Sequence, residues 1–197
     1  MGEDEGQKER VSSPSLPTTH HRILGIDPGI GVTGYAVLDE SNEGRFTLIQ
    51  SGEIKTAPRS PFPARLKCIF DGLLQVISSF LPTAVALEDT FYAKNFKSAL
   101  KLGQAKGVAL LAAESHALPI FEYAPTAVKM AVVGYGRATK EQVQRMVSHL
   151  LQTPKQIKSE HEADAVAIAI CHAHTAKFQS RVAQSERAAI GKTLGQR

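Results

Sequence analysis

The 197-residue chain reads as a mixed α/β domain, with one five-stranded sheet carrying helices on both faces. Three observations predict this. Apolar runs of strand length end on acids at Asp27 and Glu88. Three strands follow one another early with only short turns between them, as an antiparallel meander. Beyond residue 56, stretches of three- and four-residue apolar spacing alternate with short apolar strands, an order that places helices on both sides of one sheet. Hydrophobic residues make up 43% of the chain, enough for a full core.

Residues 1–20 are rich in Ser, Pro, Thr and charge without apolar periodicity, and read as a disordered extension. Strands are expected at 22–27, 32–39 and 44–55, with Asn42, Glu43 and Gly44 in the second turn. Leu66, Ile69, Phe70, Leu73, Leu74 and Ile77 recur at helical spacing over 64–80, and Leu81-Pro82 ends that helix. Residues 84–88 form a short apolar strand, buried on both sides. A helix over 97–115, a strand over 118–123, a helix opening at Pro125 or Thr126, and helices over 139–151 and 160–173 complete the body. The folded domain thus spans 21–174, and 175–197 reads as a basic, flexible tail.

Charge is uneven along the chain. The formal net charge is +4, and residues 91–140 carry seven Lys or Arg against two Glu, which points to a polyanionic partner. Only Cys68 and Cys171 occur, without metal-type spacing, so a disulfide framework is not indicated and a reducing, cytoplasmic setting is expected. No run of eighteen apolar residues is present, so no membrane span is expected.

The chemistry concentrates in a few acids. An apolar strand delivers Asp27 to its end, and Pro28-Gly29-Ile30-Gly31 reverses the chain. Glu88 ends a second apolar strand, and acids at the C-terminal ends of central strands sit where open α/β sheets place their sites. His161 and Asp164 are three residues apart and share a helix face. Ser159 reads as the N-cap of that helix and Glu162 as its capping-box partner, with Glu160 in reserve. Small Ala163, Ala165, Ala167 and Ala169 allow this helix to lie close to the sheet. Three carboxylates and an imidazole gathered together require a cation among them. Oxygen-rich ligation favours Mg²⁺, with Mn²⁺ as a substitute, and two such ions suit an in-line phosphodiester displacement.

These residues resemble the RuvC family of Holliday-junction resolvases. The likeness covers nearly everything from Ile23 to His174. It is carried by Gly25-Ile26-Asp27-Pro28-Gly29, by Glu88 followed by Phe91-Tyr92-Ala93-Lys94-Asn95, by Ser98 to Ala105, by Phe121-Glu122-Tyr123-Ala124-Pro125, and by His161-Glu162-Ala163-Asp164-Ala165. The resemblance implies an RNase H-like fold, a homodimer, and Mg²⁺-dependent symmetrical nicking of four-way DNA junctions. It assigns catalytic and metal-binding roles to Asp27, Glu88, His161 and Asp164, with His161 standing where some relatives carry Asp. It places basic contact residues at Lys129 and Lys140, a crossover aromatic at Phe91, and a branch-migration helicase among the partners. Asp89 stands where relatives often have Gln.

A junction is a branched polyanion, so Lys94, Lys97, Lys101, Lys106, Lys129, Arg137 and Lys140 are candidate phosphate contacts, and Phe91 or Tyr92 can stack on an exposed base. The Gly134-Tyr135-Gly136-Arg137 loop permits close backbone approach to phosphate. Gly103 and Gly107, four apart within a helix, make sense if another backbone comes close, from this sheet or a second subunit. Three alternatives remain at this level: an actin-like ATPase, a junction-binding module that does not cut, and a related nuclease acting on RNA–DNA hybrids.

Overall fold

Three strands run as a meander from the first described residue: β1 (His21–Asp27), β2 (Val32–Glu40) and β3 (Phe46–Lys55). They are followed by α1 (Phe62–Phe80), β4 (Ala84–Glu88), α2 (Phe96–Glu114), β5 (Ile120–Tyr123), α3 (Pro125–Val133), α4 (Lys140–Leu150) and α5 (Glu160–Leu194). This computed structural model describes residues 21–41, 43–89, 96–151, 157 and 159–194. The expected extension at 1–20, and Phe91, Tyr92 and Lys94, lie outside the described residues.

The sheet order is β3-β2-β1-β4-β5. β1 pairs antiparallel with β2, and β2 with β3, whereas β1–β4 and β4–β5 are parallel. The expected mixed sheet is therefore present, and α1 is the crossover that carries the chain from the meander to the far side of β1.

Both faces of the central strands are buried, as their unbroken apolar runs require. Ile23 of β1 and Ala86 of β4 join a core with Val166, Ile168 and Ile170 of α5 and with residues of α3 and α4. Leu24, Ile26, Val85 and Leu87 join the opposite core, with Ile69 and Leu73 of α1 and Ala105 and Ala109 of α2. Alternate residues of β1 and β4 thus face α5 on one side and the α1–α2 pair on the other. This alternation later decides where Glu88 and Asp89 point.

The helix boundaries follow local chemistry. Leu81 ends α1 in the left-handed region at φ 50°, its N–H bonded to Ile77 O, and Pro82 prevents continuation. Thr139 caps α4 in a reciprocal box with Gln142. Gly134 closes α3 at φ 90°, with its N–H on Met130 O, so it works as a helix cap. The larger departure is at α5, which does not stop near residue 173 but continues to Leu194 as one helix. Burial ends at Ala173, and that is where the apolar pattern ends too. The following residues are mostly Ala, Gln, Lys, Arg and Glu without Pro, and such residues prolong a helix by propensity alone. No helix among the described residues is long and apolar enough to cross a membrane.

One histidine is part of the core. His172 of α5 is buried against β5, with Tyr123 Oη hydrogen-bonded to its Nδ1 at 2.8 Å and the Phe121 ring 4.3 Å away. Burial pushes its pKa down from 6.5 to about 4, and the nearby charge of His21 adds to that. The unfolded chain takes up a proton on this ring near pH 6.5, whereas the folded chain resists until about pH 4. Stability from neutral His172 is therefore complete above pH 6.5 and is lost as pH falls toward 4. Urea unfolding at pH 7 and pH 5 is expected to show native stability dropping by about 2 kcal/mol more than that of His172→Gln. Equal drops in the two proteins would remove His172 as the cause.

Candidate nuclease site

The Asp27 carboxylate reaches its position through a tightly held turn. Thr33 Oγ1 donates to Gly29 O at 2.8 Å, and Thr56 Oγ1 donates to Ile30 O at 2.6 Å. Arg65 of α1 donates to Ile30 O and to Thr56 Oγ1, each at 2.9 Å. A carboxylate beside such a turn keeps its direction. Nothing in the sequence pairs Arg65 with residue 30, because the contact depends on where α1 crosses.

Two glycines let α5 reach the strand ends. Gly34 of β2 is the register partner of Asp27, and a Cβ at Gly34 would lie 2.1 Å from His161 O. A Cβ at Gly25 would lie 2.1 Å from Ala165 O. Ala163, Ala165, Ala167 and Ala169 are all buried, as the expected close approach requires. The helix is small on its side and the strands are bare on theirs, so its first turn sits directly above the sheet edge.

That first turn is capped as expected on one arm. Ser159 Oγ accepts from the Glu162 N–H at 3.1 Å. The Glu162 carboxylate accepts from Ser51 Oγ of β3 at 3.0 Å. Ser159 also bonds to Glu53, the register partner of Gly34 on β3. Bonds from Lys55 first and Ser159 second hold the Glu53 carboxyl below its ordinary range. Glu53 was not foreseen, since its nearness to His161 depends on strand register that the sequence does not print.

His161 Nδ1–H donates to Asp27 Oδ2 at 2.7 Å. Asp164, one helical turn on, meets Lys140 Nζ at 3.1 Å, and the same ammonium meets Glu160 at 2.9 Å. Burial raises the Asp164 pKa most, Lys140 opposes this, and the negative charge of Asp27 raises it further. Burial alone would lower Lys140, but Glu160 and Asp164 together raise it. Glu88 shares the parity of Ala86 and so faces α5. It lines a cavity of about 180 Å³ with Asp164, Lys129 and Lys140.

The structure thus brings the four expected residues to one edge of the sheet, on the α5 side, as two adjoining groups. Asp27 is paired with His161, and Glu88 and Asp164 share the cavity with two lysines. Among the described residues no three His, Cys, Asp or Glu side chains are close enough together to hold a metal ion. Lys140 is ion-paired with Asp164 and Glu160. Lys140 was expected at the phosphates and is here an ion-pair partner of Asp164.

The sequence profile of the crossover junction endodeoxyribonuclease RuvC family matches residues 23–172. The chain belongs to the RuvC family. The RuvC protein of Syntrophotalea carbinolica is 52% identical over 153 residues, covering 78% of this chain and 94% of that protein. That of Trichlorobacter lovleyi is 47% identical over 171 residues, covering 85% and 95%. Among solved structures, Thermus thermophilus RuvC in complex with Holliday junction substrate superposes with a TM-score of 0.76 at 36% identity, covering 81% of this chain and 97% of that one. The RuvC fold is therefore present from β1 through the buried part of α5, and the expected family and sheet architecture are both borne out.

The basic residues divide into two sets. Lys97 and Arg137 are exposed, and Lys101 and Lys129 are partly exposed. Lys106, expected among the phosphate contacts, is instead held by Asp89 at 2.9 Å and Glu122 at 2.5 Å. Gly103 and Gly107 have nothing within 4 Å of an added Cβ among the described residues, so the sheet is not the close backbone that their spacing calls for.

Proposed function

We propose that this chain resolves four-way DNA junctions by hydrolysing one phosphodiester in each of two opposing strands. The observation that carries the reading is the arrival of Asp27, Glu88 and Asp164 from β1, β4 and α5 at one sheet edge beside Lys129 and Lys140, in a chain of the RuvC family. The solved complex of the Thermus thermophilus relative with its Holliday junction supports four-way DNA as the substrate.

In its chemistry the donor set suits a hard divalent cation, and closing it on one ion requires Lys140 to leave Asp164. Its members are carboxylates with one imidazole, and Asp164 carries an ionisation penalty from burial and from Asp27 that a bound cation relieves. Asp27, Glu88, Asp164 and His161 would hold Mg²⁺ or Mn²⁺, with two ions per site. Bound there, such ions supply an activated water and stabilise the leaving 3′ oxygen. Asp27 orients the His161 ring through the Nδ1 bond, leaving Nε2 to ligate or to carry a proton. Lys140 and Lys129 neutralise phosphate as DNA approaches, with Lys140 exchanging Asp164 for the backbone. Lys97, Lys101 and Arg137, together with Phe91, Tyr92 and Lys94 beyond the described residues, extend the contact along the junction.

A second copy of the chain completes the machine. One face of α2 exposes Phe96, Leu100, Gly103, Gly107 and Leu111, an apolar stripe with two bare backbone positions. Such a stripe suits a helix or strand end from an identical subunit, and two-fold symmetry presents two sites to opposing strands. Leu100→Glu is expected to give a monomer by analytical ultracentrifugation. On a cruciform plasmid it should yield nicked circles where the native chain yields linear DNA, because paired cuts need both sites. A dimeric Leu100→Glu protein that still linearises the plasmid would move the interface elsewhere. A branch-migration helicase partner follows from the family resemblance, and a reducing, cytoplasmic setting from the cysteine usage.

The reading is tested by Mg²⁺-dependent cleavage of a synthetic four-way junction, a duplex of the same sequence and an RNA–DNA hybrid. Preferred cutting of the junction is expected. Junction binding without cutting in Mg²⁺ or Mn²⁺ would make the chain a binding module, and preferred cutting of the hybrid would assign it another substrate.

A further inference from the structure

Strand parity separates two adjacent acids at the end of β4. Glu88 faces α5, and Asp89 turns to the opposite side, where α2 packs. There Lys106 Nζ lies 2.9 Å from Asp89 Oδ1 and 2.5 Å from Glu122 Oε2. The Lys106 side chain is only 13% exposed. Burial alone would lower its pKa, yet the bonds to Glu122 and Asp89 more than offset that. A half-buried ammonium held by two carboxylates is a fixed point. Glu122 lies opposite Leu87 in the sheet, and the Asp89 N–H donates to Tyr123 O at 2.7 Å. Lys106 therefore ties one helix to the last residues of two neighbouring strands.

The tie closes a particular stretch of chain. Asp89 and Lys106 are 17 positions apart. Between them lie residues 90–95 and the first turns of α2. Their link holds the residue that follows Glu88 against α2. We propose that Lys106 is a positioning residue, which sets the direction of Glu88 by clamping Asp89 and Glu122 to α2. The clamp rests on the junction-nuclease reading above and adds a link to it. The same helix presents its outer stripe to the second subunit, so the clamp connects that face to the end of β4. It also accounts for the acid at residue 89, whose charge is absorbed by Lys106 on the side of the sheet away from the cavity.

The test uses the full chain as Lys106→Met, Lys106→Arg and Asp89→Asn. Under saturating junction, the single-turnover nicking rate of Lys106→Met is expected to fall about tenfold or more. Junction affinity and its salt dependence should stay native, and Lys106→Arg should retain the native rate. Hydrogen exchange is expected to rise several-fold in peptides covering 84–89 and 120–123 for Lys106→Met and less for Asp89→Asn, with the remaining sheet unchanged. A native saturating rate in Lys106→Met overturns the proposal, as does a salt slope reduced by about one, which would make Lys106 a phosphate contact. Unchanged exchange at 84–89 overturns it as well. If the native chain itself fails to nick, the nuclease reading falls while the exchange arm still decides the clamp.

Discussion

Asp27→Asn is expected to reduce Mg²⁺-dependent junction nicking by at least about a hundredfold while leaving junction binding intact. The amide keeps the size of the side chain and can still accept from His161, so the turn held by Thr33, Thr56 and Arg65 should persist. What is lost is the negative charge at the strand end. That charge raises Asp164 and holds the imidazole, and it is one of the donors proposed for the cation. Each tenfold loss corresponds to about 1.4 kcal/mol of transition-state stabilisation. Removing an anion from a surface that must accept phosphate should tighten binding, if it changes it at all. Gel-shift and single-turnover assays on one junction separate the two effects. A nicking rate within a factor of two of native would exclude Asp27 from the reaction.

Gly34→Ala is the second large effect, and it acts through packing. The added Cβ would meet His161 O at 2.1 Å and His161 Cβ at 2.9 Å. Backbone cannot yield as a side chain does, so the first turn of α5 must lift from the sheet. That turn carries both His161 and Asp164. Overpacking of this kind costs about 1–3 kcal/mol of stability. A displacement near 1 Å at a reacting centre costs about a hundredfold in rate. Thermal unfolding and nicking should therefore both suffer, with junction binding less affected because the lysines of α3 and α4 stay in place. A Gly34→Ala protein with native melting and native nicking would mean that α5 does not need the bare backbone at this position.

Features set by neighbouring residues were legible in the sequence. β4 was legible to the residue because four apolar residues end on an acid, and α4 to within one residue at either end. The four candidate residues stand out in the sequence because each sits at the end of a strand or near the start of a helix. Partnerships across the sheet were not. Gly25 and Gly34 fall inside two of the expected strands, and only strand register shows that both lie beneath α5. Lys106 and Lys140 appear as free cations in a basic stretch, yet each is bound to two carboxylates contributed by other elements. The length of α5 was hidden for a different reason. Amphipathic spacing reports burial, and none of the described side chains of this helix beyond Ala173 is buried.

The central claim is that carboxylates from β1, β4 and α5 trap divalent cations beside the scissile phosphate. Crystals of the full chain with a four-way junction, soaked in Mn²⁺ and measured at the manganese edge, test it most directly. The predicted result is an anomalous peak with oxygens of Asp27 and of Glu88 or Asp164 at about 2.0–2.6 Å. Lys140 should then have withdrawn from Asp164. A peak confined to other residues, or Lys140 still bonded to Asp164 with no manganese at these carboxylates, would contradict the account.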